Sequence, residues 1–235
     1  MARTAVSSAE LKKTAEHAAS HNGSGRAFSP EKLLEIYRLM VLSRRTDDRE
    51  IILKNQQKVF FQISGAGHEA LLVTAALALR PAYDWFFPYY RDRGLSLALG
   101  TTVEEHFLQA VGAATDIASG GRQMPSHWSD AKLHIVTQSS STATQCLQAV
   151  GCAEASVYLT RHPEAADAPE PGSVPADYRQ FHPVDFHGDE VVYVSIGEGA
   201  TSQGEFWESI SIASNLKLPV LFVVEDNGYA ISVSR

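Results

Sequence analysis

Apolar residues recur at helical spacing from Leu33 onward, and Leu33, Ile36, Tyr37, Met40 and Leu42 form one stripe. This predicts a helix with an apolar packing face. Ser29 can cap it, Pro30 suits its first turn, and Glu31 and Glu35 favour the positive end of its dipole. A second helix is predicted at about His68–Ala78, between the break Gly65-Ala66-Gly67 and Pro81. A third is expected around Val103–Val111 and a long one at about Ala143–Thr160. In the long helix Ala149, Gly151, Ala153 and Ala155 would let another element approach closely. The aromatic run from Tyr83 to Asp92 and the glycine-rich stretch from Ser119 to Pro125 read as loops. The pattern changes at Glu190–Ile196, a continuous apolar run of the kind found in strands covered on both faces. A helix at about Gly204–Asn215 and a second such strand, Val220–Val224, follow. Strand, helix, strand makes one crossover unit of a parallel sheet. The predicted fold class is α/β, a parallel sheet flanked by helices, and a single crossover unit so near Arg235 reads as a domain truncated at its C-terminus.

Composition divides the chain further. Residues 1–27 are polar and rich in Ala and Ser, which predicts a flexible arm ahead of one domain at 28–235. The stretch 161–189 carries Pro163, Pro169, Pro171, Pro175 and Pro183, and is expected to be a surface insertion. Twenty Lys and Arg against 27 Asp and Glu give a net charge of −7, which argues against a nucleic-acid surface. No run approaches the ~20 apolar residues of a membrane span. Two cysteines, Cys146 and Cys152, are too few for a disulfide scaffold and predict reduced, buried thiols in a cytoplasmic protein. Glu10 and Glu16 argue against a transit peptide at the N-terminus.

Candidate chemistry sits at the ends of the two strands. Gly197-Glu198-Gly199 closes the first and Asp226-Asn227-Gly228-Tyr229 follows the second. Ligands of open parallel sheets collect at the carboxyl ends of strands. The Glu198 carboxylate, the Asn227 amide oxygen and the Tyr229 backbone carbonyl are hard oxygen donors that suit Mg2+ together with diphosphate oxygens. The glycines would let backbone approach phosphate with no side chain between. No third glycine makes a dinucleotide fingerprint, and Gly199 to Gly204 lacks a hydrolase nucleophile elbow. His68, His106, His127 and His134 show no metal-ligand spacing, and each is expected to be structural or solvated.

This paired motif resembles that of the thiamine-diphosphate enzymes, with Gly-Glu-Gly for the usual Gly-Asp-Gly and Asp-Asn for Asn-Asn. Tyr89-Tyr90-Arg91-Asp92-Arg93-Gly94, Gly121-Arg122-Gln123-Met124-Pro125 and the run from Ser139 to Gly151 stand before it in the order seen in alpha subunits of 2-oxo acid dehydrogenases, most like the branched-chain, 2-oxoisovalerate type. The resemblance covers about Pro30 to the end of the chain. It implies a thiamine-diphosphate-binding fold with Mg2+, and oxidative decarboxylation of a 2-oxo acid with acyl transfer to a lipoyl group. Tyr90, Arg91, Ser140, Thr142, Gly197, Gly199, Ala200 and Asn227 would bind the cofactor, and Glu198, Asn227 and Tyr229 the Mg2+. Ser139, Ser141, Thr144 and Gln145 match positions that hold K+ in branched-chain enzymes. A proline is usual where Ser141 stands, and a bulky apolar residue where Thr142 stands. For Tyr90-Arg91 an aromatic core loop, and for the Ser-rich run a helix cap, are the plainer alternatives. The implied partners are a beta subunit or fused beta domain, which carries the glutamate that activates the cofactor ring, and the lipoyl-bearing acyltransferase. The alternatives are a fragment inactive without its beta part, and a pyruvate or acetoin dehydrogenase alpha subunit.

Overall fold

The computed structural model describes residues 28–138, 140–166 and 186–234. The expected arm at 1–27 and most of the 161–189 insertion lie outside the described residues. The chain divides into two compact units, Met1–Arg38 and Leu39–Arg235. The described part of the first holds the start of helix α1, Pro30–Asn55. Its entry is as predicted, with the Lys32 N–H donating to Ser29 Oγ at 3.3 Å. The predicted apolar stripe is only partly buried, since Ile36 is buried whereas Leu33, Tyr37 and Leu42 are exposed. Within the second unit the buried positions of α1 are Ser43, Thr46, Asp47 and Glu50, a polar face at helical spacing.

That polar face has a partner. Helix α2, Glu69–Ala78, is followed by strand β1, Trp85–Phe87, and by helix α3, Arg93–Leu99. The side chain of Arg93 on α3 is buried, with Nε donating to Asp47 Oδ1 at 2.8 Å and Nη2 to Glu50 Oε2 at 2.5 Å. Both β1 and α3 lie in stretches where the hydrophobic pattern predicts no regular element. The aromatic run is thus part strand, because its backbone finds partners far away in sequence. Helix α4, Val103–Ala110, starts at Thr102, whose side chain accepts from the Glu105 N–H while the Glu105 carboxylate accepts from the Thr102 N–H.

The sheet is parallel, in the order β1, β2 (Val192–Gly197), β3 (Val220–Glu225). Helices α5, Thr144–Arg161, and α6, Gly204–Leu216, complete the main frame. Alternate residues of β2 feed two cores, as strand geometry requires. Val192, Val194 and Ile196 pack with Cys146, Ala149 and Ala153 of α5 and Phe206 of α6. Tyr193 packs on the opposite face with Phe86, Leu72, Leu95 and Trp128. Ala149 and Ala153 are fully buried, whereas Gly151 is exposed, so the close approach predicted for α5 uses the alanines. Strand β3 is less covered than its apolar sequence predicts. Leu221 and Val224 are exposed, since among the described strands β3 is an edge of this sheet. A short antiparallel pair follows, β4 (Tyr229–Ala230) with β5 (Val233–Ser234). Both cysteines are unpaired. No described helix is long and apolar enough to cross a membrane.

Candidate active site

Strands β2 and β3 end side by side, with Gly197 opposite Glu225, and a cleft of about 500 Å³ opens at these ends. Loops diverge at the carboxyl ends of neighbouring parallel strands, which leaves room for a ligand. Tyr90, Arg91, Ser140, Ser141, Thr142, Gln145, Gly197, Glu198, Gly199, Ala200 and Tyr229 all line this one cleft. Asn227 and Thr144 stand outside its lining, and Ser139 lies outside the described residues.

Glu198 opens a 3-10 turn, Glu198–Ser202, directly after β2. Its Oε2 faces the Asn227 N–H at 3.4 Å, and its Oε1 is buried without a hydrogen-bond donor. The Asn227 Oδ1 accepts from the Tyr229 N–H at 2.9 Å, a local turn that leaves the second lone pair of the amide oxygen available. Across the cleft, Arg91 Nη1 donates to the Ser64 carbonyl at 2.8 Å, and its Nε is buried without an acceptor. The guanidinium carbon stands 5.4 Å from the centre of the Tyr90 ring. An unpaired buried carboxylate oxygen and an unpaired buried guanidinium N–H each carry a desolvation cost. Both belong to residues of the same cleft, and their chemistry fits a divalent cation bound with a diphosphate.

Among the described residues the Ser-rich run supplies no side-chain cap to the helix that follows it. Helix α5 begins behind Ala143, whose backbone is left-handed at φ 64° and whose side chain makes no cap hydrogen bond. Instead Ser140 Oγ meets His127 Nε2 at 2.5 Å. The other nitrogen of that ring, Nδ1, lies 3.1 Å from the Pro125 carbonyl, which can only accept. Nδ1 therefore carries the ring hydrogen, and Nε2 accepts from Ser140. Gln145 is buried and donates to the Ser195 carbonyl at 3.0 Å, while the Thr144 N–H bonds the Ser141 carbonyl at 3.3 Å.

The sequence matches the family model of the dehydrogenase E1 component over residues 37–235. The chain belongs to this family. It is similar to the 2-oxoisovalerate dehydrogenase subunit alpha of Bacillus subtilis (strain 168), with 37% identity over 88% of this chain and 54% of the relative. The mitochondrial 2-oxoisovalerate dehydrogenase subunit alpha 2 of Arabidopsis thaliana shares 33% identity over 87% of this chain and 37% of its own length. The mitochondrial alpha subunit of Homo sapiens shares 32% over 86% and 39%. The chain thus spans about half the length of the bacterial relative and less of the other two.

The E1 chain uses its motif glycines partly for its own packing. A Cβ on Gly197 would lie 2.7 Å from the Tyr89 hydroxyl, and one on Gly199 would lie 2.8 Å from the Ala230 Cβ. Gly197 therefore lets Tyr89 cross the end of β2, where its hydroxyl meets that of Tyr90 at 2.5 Å. Burial, and then the bond to Tyr90, push the Tyr89 phenol upward. Gly199 admits β4.

Beneath the cleft of the E1 chain lie two acids that the hydrophobic pattern does not reveal. Asp92 and Glu225 are both fully buried. Asp92 Oδ2 accepts from the Tyr89 N–H at 3.0 Å and from the Ser195 hydroxyl. Among the described residues no N–H or hydroxyl donates to either Glu225 oxygen or to Asp92 Oδ1. Burial first, and the neighbouring Asp92 charge second, push the Glu225 carboxyl up to about 11. Burial also raises Asp92. The pair therefore holds a proton at neutral pH and presents less charge under the cleft than two carboxylates would. A lone acid ending an apolar strand was the available sequence signal. His127 follows the Gly121–Pro125 loop in sequence, near the predicted site, and the fold adds its contact with Ser140. Among the described residues no three His, Cys, Asp or Glu side chains are grouped as metal ligands. The ring of His134 stacks on Trp85, with centroids 4.3 Å apart.

Proposed function

We propose that this chain is the alpha component of a thiamine-diphosphate-dependent 2-oxo acid dehydrogenase that decarboxylates a branched-chain 2-oxo acid and passes the acyl group to a lipoyl arm. The observation that carries the proposal is the pair of unsatisfied buried atoms, Glu198 Oε1 and Arg91 Nε, in one cleft at the ends of adjacent parallel strands. Relatives named as 2-oxoisovalerate dehydrogenase alpha subunits support the choice of substrate class. When bound, thiamine diphosphate supplies the carbon nucleophile for decarboxylation. The protein's part is to hold it. Arg91 and Tyr90 would donate to diphosphate oxygens, Gly197 and Ala200 would bring backbone near, and Ser140 and Thr142 line the same cleft. Glu198, Asn227 and the Tyr229 carbonyl provide oxygens for Mg2+. Ser139, Ser141, Thr144 and Gln145 are the proposed K+ group.

Among the described residues Glu198 is the sole carboxylate in the cleft lining. If it holds the cation, a carboxylate for acid–base work at the cofactor ring must come from another chain or segment. This favours a beta subunit or beta domain as partner, and a lipoyl-bearing acyltransferase as the acceptor's carrier. It also favours, as the second reading, a chain that binds cofactor without turning over alone. The proposed location is cytoplasmic, supported by two free thiols.

Calorimetric titration with thiamine diphosphate and Mg2+, on the chain assembled with its beta partner, tests the site. Glu198→Ala and Asn227→Ala should each abolish Mg2+-dependent binding and leave the far-ultraviolet circular dichroism spectrum intact. Unchanged affinity in both variants removes the metal assignment. Binding of NAD or ATP with none of thiamine diphosphate removes the functional reading.

A further inference from the structure

Asp47 lies on α1, far in sequence from Arg91, yet its two oxygens engage both flanks of that residue. Oδ1 accepts from Arg93 Nε at 2.8 Å, two positions beyond Arg91. Oδ2 accepts from Ser64 Oγ at 2.7 Å and from the Gly65 N–H at 3.0 Å. The Ser64–Gly65 turn in turn holds Arg91 at two points. The Ser64 carbonyl accepts from Arg91 Nη1 at 2.8 Å. Gly65 presses on the Arg91 backbone so closely that a Cβ there would lie 2.5 Å from the Arg91 carbonyl oxygen. Ser64 Oγ also accepts from the Ala66 N–H at 3.0 Å, which fixes the hydroxyl as a donor toward Asp47.

A long arginine side chain ordinarily samples many rotamers, and ordering it costs free energy at the moment of binding. Here one edge of the guanidinium is already committed to a backbone carbonyl, and that carbonyl is anchored to a buried carboxylate. The plane of the guanidinium is set before any ligand arrives, with the unpaired Nε left over. We propose that Asp47, acting through the Ser64–Gly65 turn, is a positioning residue that pre-orients Arg91 for an anionic ligand in the cleft. The anion being the cofactor diphosphate rests on the proposed function; the clamp itself does not.

Asp47 also neutralises buried Arg93, so its removal endangers the fold, and Ser64 is the residue to change. Ser64→Ala removes one anchor of the turn, and Ser64→Thr keeps the hydroxyl. Two measurements on the full chain separate positioning from structure. In the first, phenylglyoxal labelling followed by peptide mass mapping reads the freedom of each guanidinium. Ser64→Ala should speed labelling of Arg91 several-fold while Arg93 stays protected, and Ser64→Thr should restore the parent rate. In the second, titration with thiamine diphosphate and Mg2+ should show an affinity about three- to tenfold weaker in Ser64→Ala, the range for one lost hydrogen bond. The same change made on an Arg91→Ala background should have no further effect. An unchanged Arg91 labelling rate, equal acceleration at Arg93, or a full affinity loss persisting without Arg91 would each overturn the clamp. The titration is made on the chain assembled with its beta partner; a parent assembly that fails to bind thiamine diphosphate overturns the functional reading alone, and the labelling result still decides the clamp.

Discussion

His106 sits buried between Arg93 Nη1, 3.0 Å from its Nδ1, and Thr101 Oγ1, 2.8 Å from its Nε2. Arginine has no acceptor, so Nδ1 must offer its lone pair and the hydrogen must lie on Nε2. A second proton would meet the guanidinium directly. Burial, and then the Arg93 charge, therefore hold His106 well below its usual value of 6.5. An unfolded His106 takes up a proton below about pH 6.5, whereas the folded one resists it, so this contribution to stability is complete above about pH 6.5 and is lost as pH falls below it. His106→Gln should lower the melting temperature near neutral pH, because the ring also packs on Trp128 with centroids 4.5 Å apart. Between about pH 6.5 and 5 its melting temperature should then fall less steeply than the parent's. Parallel pH profiles would show that His106 is not the acid-sensitive group.

At the scale of elements, the joint between α1 and α3 is polar at its centre. Arg93 is met by Asp47, Glu50 and His106, and stacks over Trp128 with its guanidinium carbon 5.3 Å from the ring centre. Removing one partner of a buried ion pair leaves an uncompensated charge, at about 3–5 kcal/mol. Arg93→Met should therefore destabilise the chain by about that much in urea unfolding, since both acids stay behind. Arg45→Ala makes the contrast. Arg45 lies 3.5 Å from Asp48, both side chains are exposed, and the expected loss is at most about 1 kcal/mol. Equal losses from the two substitutions would mean that burial does not set the strength of these joints.

For the whole molecule, the described residues give the cleft one carboxylate and an open rim. Tyr229, Ile231 and Val233 beyond β3 are exposed, Ile231 completely. Apolar groups at the mouth of a site leave water favourably when a partner covers them. A ligand held between two chains also stabilises their union. The isolated chain should release no CO2 from 2-oxoisovalerate and should self-associate in sedimentation. Addition of a cognate beta chain should give an active heterotetramer in the presence of thiamine diphosphate and Mg2+. Full activity from the isolated chain would require a second acid–base carboxylate within it.

What the sequence determined by itself is local or strongly patterned. The entry of α1 at Ser29 and Pro30, the runs of α5 and α6, and the β2–α6–β3 crossover follow from spacing, capping and apolar continuity, which act between near neighbours. The motif residues Glu198 and Gly199 were legible because a strand end is a fixed place in an open sheet. Tertiary structure alone decided the rest. β1 is three residues long and is a strand only because β2, more than 100 residues later, pairs with it. Helix α3 carries no polar stripe, since all but one of its residues are buried, so its sequence has no helical period to read. The apolar stripe marked buried Ile36 but not the polar part of the buried face of α1, which makes sense only beside Arg93. Gly197 has a second use, room for Tyr89 at the end of β2, that is visible only in the fold. The hydrophobic pattern does not single out Glu225, and its burial next to Asp92 is seen only in the fold. In each case the missing fact is a contact between residues distant in sequence, and no local pattern of hydrophobicity encodes which distant side chain will compensate a buried charge or fill the space beside a glycine.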